Sequence, residues 1–389
     1  MGRCFFLFLL LFFFCCREES GRYPDILVDR MQEREELYVS DFADSVFFIP
    51  LDNDKPLSHL ITKTVCDSGV YFGEGLGRAM RFYDLKGHFV RQYGDVGHGP
   101  GEYRFSFDFC VGDDGKIYFY DNCRLLVYSG AGKFLMKKDF VPLGINWIND
   151  MVCRGDKLYI SVDEGSSGAY SWFVTDTCGR FVGGKRRSPD KWLLNANGNL
   201  YRGADSSVCW WSRYSDTIFE LLDNGDYRIR HVWSWGTAMC YPDLGNYRFK
   251  SDGIMKSTEE PYPEALRFFS FYELPDGRCI GKFKRGMGGK NLIYLYDPCT
   301  KSGYYSLRVV DDLSGLNESI PRMKINSRRS DGAYMCTDCL PLKLKEWVAS
   351  EEFANLKVKT PRFKQQLKEL AERLDEEDNA VVVVYRLKK

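Results

Sequence analysis

Asp114-Gly115-Lys116-Ile117-Tyr118-Phe119 reads as a tight turn running straight into a strand. Asp-Gly supplies the turn, and the β-branched and aromatic residues behind it suit a pleated, half-buried surface. The phrase returns as Asp67-Ser68-Gly69-Val70-Tyr71-Phe72, Gly155-Asp156-Lys157-Leu158-Tyr159-Ile160, Asn197-Gly198-Asn199-Leu200-Tyr201, Asp276-Gly277-Arg278-Cys279-Ile280 and Asp331-Gly332-Ala333-Tyr334-Met335. Its glycines fall at 69, 115, 155, 198, 277 and 332, so five intervals of 46, 40, 43, 79 and 55 residues separate six copies. A second turn interleaves with the first, with Gly87, Gly132, Gly179 and Gly225 spaced 45, 47 and 46 apart and a looser copy at Leu295 to Gly303. Two hairpins per period mean four strands per period, and a period of about 40–50 residues is that of a propeller blade. One blade cannot bury both faces of its sheet, so six copies predict six blades in a ring.

The expected fold is therefore all-β: a six-bladed β-propeller with four-stranded antiparallel blades. The 79-residue interval carries Gly236, Pro242, Gly245, Gly253, Pro261 and Pro263 and predicts a long loop over about 236–265. Near the end, Thr360-Pro361 marks a helix start, and Phe363, Leu367, Leu370 and Leu374 share one face, predicting a short C-terminal amphipathic helix. The run Ala380 to Leu387 predicts a buried closing strand that pairs with the N-terminal segment Asp44 to Leu51.

Composition suits this fold. Among 389 residues, 36 Gly, 24 Tyr and 28 Phe favour strands joined by tight turns, and 54 basic against 54 acidic side chains leave no bias towards nucleic acid. At the N-terminus, Arg3 precedes the unbroken apolar run Phe5 to Phe14, which is too short to span a bilayer, and Cys15-Cys16 follow before Arg17-Glu18-Glu19. This order predicts a lipoprotein signal over 1–16, with Cys16 as the lipid anchor and Cys15 as the alternative, although Phe13, Phe14 and Cys15 stand where small residues are usual. Residues 17–36 are then an exposed linker and 37–389 the propeller. Of 14 Cys, three lie in the signal, leaving an odd number in the exported part; Cys110, inside a strand-like run, reads as a buried thiol.

Several phrases resemble a known group, the six-bladed β-propeller lipoproteins of uncharacterised function, which are similar to NHL-repeat proteins. They are Val46 to Leu51, Phe82 to Phe89, the loop Gly97-His98-Gly99-Pro100-Gly101-Glu102-Tyr103, Tyr214 to Leu221 and Glu377 to Val383. The resemblance implies the fold and export and no activity; the N-terminal signal with Arg17-Glu18-Glu19 predicts a lipid anchor in the outer membrane, on its periplasmic or cell-surface side.

No motif specifies chemistry. The loop formed by Gly97, Gly99, Pro100, Gly101, Glu102 and Tyr103 lacks the Lys-Ser/Thr ending of a phosphate-binding loop and reads as an inter-blade connection. Cys336-Thr337-Asp338-Cys339 is a single CxxC without the second pair a structural zinc site needs, so no metal and no cofactor are expected. Gly165-Ser166-Ser167-Gly168 has the wrong order for a nucleophile elbow. Asp121, Asp163 and Asp205 follow similar strand phrases and either meet at a channel rim or bond to neighbouring blade backbones; Trp210, Trp211, Trp233 and Trp235 offer a sugar-stacking platform, although alternation puts Trp210 and Trp211 on opposite faces of a strand, so part of the cluster reads as core between blades. The expected function is a lipid-anchored binding or scaffold module for a glycan, peptide or envelope protein. The alternative is an envelope hydrolase or lyase with a metal or carboxylate site in the central channel.

Overall fold

The computed structural model describes residues 26–57, 62–73, 80–104, 108–162, 169–186, 198–212, 216–234, 266–285, 290–316, 327–329 and 332–389. Cys16, Trp235, Asp163, the 165–168 turn and the expected long loop lie outside the described residues.

Six antiparallel sheets form the ring. Blade 1 begins with the inner strand Thr62–Cys66, followed by Gly69–Gly73, Met80–Tyr83 and Phe89–Tyr93. The inner strands of blades 2 to 5 are Asp108–Val111, Ile148–Arg154, Asn199–Arg202 and Leu266–Glu273. Blade 6 runs Ser327–Arg329, Gly332–Cys339, Val381–Leu387 and Ala43–Pro50, so its two outer strands come from opposite chain ends. Val383 lies opposite Phe48, and Tyr385 opposite Val46. This is the expected clasp. Asn379 locks it: its carbonyl accepts from Leu57 N at 2.8 Å, and its amide donates to the Lys55 carbonyl at 2.9 Å.

Strand alternation sends successive side chains to opposite faces of a blade, and each face packs on a neighbour. The result is six apolar cores, one per blade junction, from Val65, Phe72 and Val382 between blades 6 and 1 round to Ile280, Leu295 and Val383 between blades 5 and 6. Three helices, α1 (Pro341–Val348), α2 (Glu351–Asn355) and α3 (Pro361–Arg373), are inserted within blade 6 and cover the last of these cores. Phe363, Leu367, Leu370 and Leu374 all face it, as their spacing requires.

Two expectations change. First, residues 26–36 are not linker. Ile26–Leu27 adds a parallel strand to the outer edge of blade 4, Met31–Glu33 does the same for blade 5, and Ile26 is wholly buried between those blades. The segment therefore forms a belt along two sheet edges before entering blade 6, covering backbone groups that would otherwise be open to pairing. Strands this short carry no readable alternation, which hid them. Second, the phrase at 197–201 is not a turn into a second strand but the inner strand of blade 4 itself. The true turn spans Gly203 to Ser207, where Ser206 takes a positive φ of 68° in place of glycine. Gly198 is required for a different reason: a Cβ there would sit 2.1 Å from Trp210 Nε1.

Candidate functional site

The inner strands bring their turns together at one end of the channel, and between blades 1, 2 and 3 these turns enclose a cavity of about 370 Å³. Tyr71 and Phe109 supply aromatic wall; Ser68, Asp67 and Asp113 supply polar atoms from the turns; Arg202 reaches in from blade 4. The Arg202 guanidinium donates to the Cys153 carbonyl and lies 3.8 Å from Asp113, whose other oxygen accepts from Gly155 N at 2.9 Å. Burial holds this guanidinium below its ordinary value, with Asp113 working against the shift. It remains a cation. Burial likewise pushes the Tyr71 phenol up. An apolar and aromatic wall carrying a few convergent polar groups of both signs is the usual make-up of a small-ligand site.

One wall is a disulfide. Cys110 and Cys153, on the inner strands of blades 2 and 3, are bonded with their Cα atoms 6.0 Å apart. This corrects the reading of Cys110 as an isolated buried thiol: their separation of 43 residues is one blade period, which puts the two strand ends side by side. The periodicity was the available signal.

A second polar cluster joins blades 4 and 5. Glu273 is buried at the end of the blade 5 inner strand, and its carboxylate accepts from Arg230 at 2.9 and 2.7 Å and from the Tyr201 hydroxyl at 3.2 Å, with His231 Nε2 3.0 Å away. Arg230 also donates to Asp205 at 2.9 Å. Burial alone would raise the Glu273 carboxyl, but the bonds from His231 and Arg230 overcome it and hold the group well below the usual carboxylate range. With every acceptor engaged by its own chain, this cluster is a staple between blades.

The other residues singled out in the sequence are placed as follows. Trp210, Trp211 and Trp233 are each only 4% exposed, so they form no open platform. Trp210 lies in the core towards blade 3 and donates to Ser161 Oγ at 3.1 Å, whereas Trp211 and Trp233 lie in the core towards blade 5. Asp121 and Asp205 do not converge: Asp121 ends the second strand of blade 2, buried against Arg124, while Asp205 sits in a turn at the opposite end of blade 4. The phrase at 197–201 that aligns Asp205 with Asp121 is out of phase, because residues 199–202 form the inner strand of blade 4. Cys336 and Cys339, three apart on one strand, enter two different cores, one on each face of blade 6.

The loop at 97–103 binds blade 1 to blade 2. Tyr103 is fully buried; its hydroxyl accepts from Met80 N at 3.1 Å and donates to the Tyr93 carbonyl at 3.3 Å. Glu102 accepts from Gly99 N at 2.6 Å, and Tyr128 donates to the Gly101 carbonyl at 2.5 Å. Gly101 has a φ of 77°, and a Cβ on Gly97 would lie 2.1 Å from the Glu102 carboxylate.

Fold and site define a six-bladed β-propeller with a small cavity at its channel mouth. The chain belongs to the family described as a domain of unknown function (DUF4934), whose model matches residues 25–386. Among solved structures, it is similar to the "Putative exported protein" of Bacteroides fragilis, with 17% identity and a TM-score of 0.65 over 92% of this chain and 99% of that one. A Bacteroides vulgatus member of the DUF4221 family is 11% identical, with a TM-score of 0.46 over 89% of this chain and 97% of that one. No curated protein matches the sequence. Among the described residues, no helix is long and apolar enough to cross a membrane.

Proposed function

We propose that the chain is an exported, lipid-anchored binding module that takes a short peptide at the channel mouth. The observation that carries this reading is the cavity, whose size falls in the lower part of the range of about 300–1,000 Å³ typical of small-ligand sites. A peptide fits its chemistry because Arg202 can receive a carboxylate while Asp67 and Asp113 can receive an ammonium group, with Tyr71 and Phe109 for an apolar side chain. Export is supported by the apolar run Phe5 to Phe14 and by the Cys110–Cys153 disulfide, a bond favoured in oxidising compartments.

A peptide and glycan array probed with the purified chain tests the binding. Peptides should be retained, and retention should drop at least tenfold in Arg202→Gln and in Ser68→Trp, which fills the cavity from an exposed turn. Retention of glycans alone, or retention unchanged in both variants, would overturn the assignment. Labelling with a palmitate analogue tests the anchor: Cys16→Ser should abolish incorporation, whereas loss in Cys15→Ser alone would move the anchor to Cys15.

A further inference from the structure

The belt enters the ring beside an apolar and basic stretch of its rim. Ile26–Leu27 pairs in parallel with Trp233–Ser234, so at Ile26 the chain arrives from the end of that outer strand where Tyr227 and Ile229 stand. These two side chains are 45% and 44% exposed; on the outer strand of blade 3, Phe181–Arg186, Phe181 and Val182 are 39% and 40% exposed. The two strands touch. A Cβ on Gly183 would lie 2.6 Å from the Asn224 carbonyl, and Lys185 Nζ lies 4.9 Å from the centre of the Tyr227 ring. Arg186 stands 5.6 Å over the Tyr170 ring, whose centre is 5.3 Å from that of Phe181. Cations are thus interleaved with exposed aromatic and aliphatic groups across both blades. Strand 181–186 carries no acid, and Glu220 of blade 4 is engaged by Arg228 and Arg230. The blade 4 turn holds two exposed acids, Asp223 and Asp226, of which Asp223 is bonded by Arg154. Where the belt crosses blade 5 the balance reverses, with Glu33 and Glu35 exposed and Glu36 half-buried around Arg34. Cations on a bare sheet edge guard against strand pairing, and among the described residues no strand covers the blade 3 edge. That role explains Lys185 and Arg186 but not the four large apolar side chains beside them.

We propose that the rim of blades 3 and 4 lies on the bilayer that holds the lipid anchor. This rests on the anchor assigned above. Residues 17–25 alone separate Cys16 from Ile26, a reach of at most about 35 Å fully extended, against roughly 50 Å across a chain of this size. The rim at which the chain enters is therefore kept near the membrane. Its composition suits that surface: aromatic rings settle at headgroup level, and Lys and Arg lay their stems over apolar groups while their charges meet anionic phosphates. The cavity is built from inner strands and their turns, so docking through the outermost strands leaves it open.

Photocrosslinking of the full-length chain on vesicles of phosphatidylcholine and phosphatidylglycerol tests the orientation. The photoreactive residue p-benzoylphenylalanine replaces Phe181, Tyr227 or, as a control of similar exposure on the blade 6 side, Tyr38. Phospholipid adducts should form at 181 and 227 and stay at background at 38. The combined change Lys185→Gln and Arg186→Gln should lower the yield at 227 at least about fivefold, since each cation near an anionic surface is worth roughly that factor. Equal yields at all three positions, or adducts at 38 alone, overturn the proposal. So does a yield at 227 that the two substitutions leave unchanged. The mass of the N-terminal peptide reports the anchor in the same samples. An acylated chain without adducts at 181 and 227 ends the docking and keeps the anchor, whereas adducts at both on a chain without an acyl group, with vesicles in excess, end the anchor and keep the docking surface.

Discussion

Glu273→Gln removes the charge at the centre of the blade 4–5 staple while keeping its shape. In the native chain the carboxylate takes two guanidinium bonds at 2.9 and 2.7 Å, with His231 at 3.0 Å and Tyr201 at 3.2 Å, and is 5% exposed at its side chain. Breaking such a buried pair from one side costs about 3–5 kcal/mol. Arg230 retains its 2.9 Å bond to Asp205, which is half exposed, so the lower end applies and we expect about 3 kcal/mol at pH 7. Urea unfolding followed by tryptophan fluorescence measures it, because Trp211 and Trp233 lie in the core this staple closes. The pH dependence separates charge from packing. Glu273 has a folded value below its ordinary 4.5, so its contribution is complete above pH 4.5 and is lost as pH falls towards the folded value. The gap between wild type and variant should therefore shrink by about 1.4 kcal/mol per pH unit below 4.5. A gap under about 1 kcal/mol at pH 7, against the size expected for a buried pair, or one that stays flat from pH 5.5 to 3.5, would refute the reasoning.

Three further outcomes follow from single contacts. Tyr103→Phe leaves Met80 N and the Tyr93 carbonyl buried without the hydroxyl that joins them, and should cost about 1–3 kcal/mol in the same urea assay. Gly198→Ala forces a methyl against the Trp210 indole in the blade 3–4 core and should cost about 1–3 kcal/mol, whereas Gly115→Ala, whose Cβ meets nothing within 4 Å, should cost less and only through its φ of 74°. Asn379→Ala frees the loop before blade 1 from the closing strand; we expect a loss of about 2 kcal/mol and faster amide exchange in 381–387.

The ring and its blade count were legible in the chain because a repeating turn is a local object. Gly87, Gly132, Gly179 and Gly225 all adopt the positive φ that only glycine takes without strain, so each turn announces itself. Where a non-glycine takes that conformation, as Ser206 and Lys301 do, the signal weakens, and the 197–201 phrase of blade 4 falls out of phase with the other turns. The closing strand and α3 were also legible, since apolar runs and helical spacing are local too.

The site was not legible in the same way. Its cavity wall draws on four blades, and the turns that meet there are separated by a blade period or more, so no contiguous motif encodes it. Trp210 and Trp211 look alike in sequence, yet only the stacking of blades decides that one faces blade 3, the other faces blade 5 and neither faces water. Sequence by itself determined the repeat, the number of blades and the strand that closes them, because those follow from backbone conformation over a few residues. Only the tertiary structure decided that the N-terminal segment is a belt, that Cys110 meets Cys153, and that the channel mouth holds a cavity, because each depends on which blade ends up beside which.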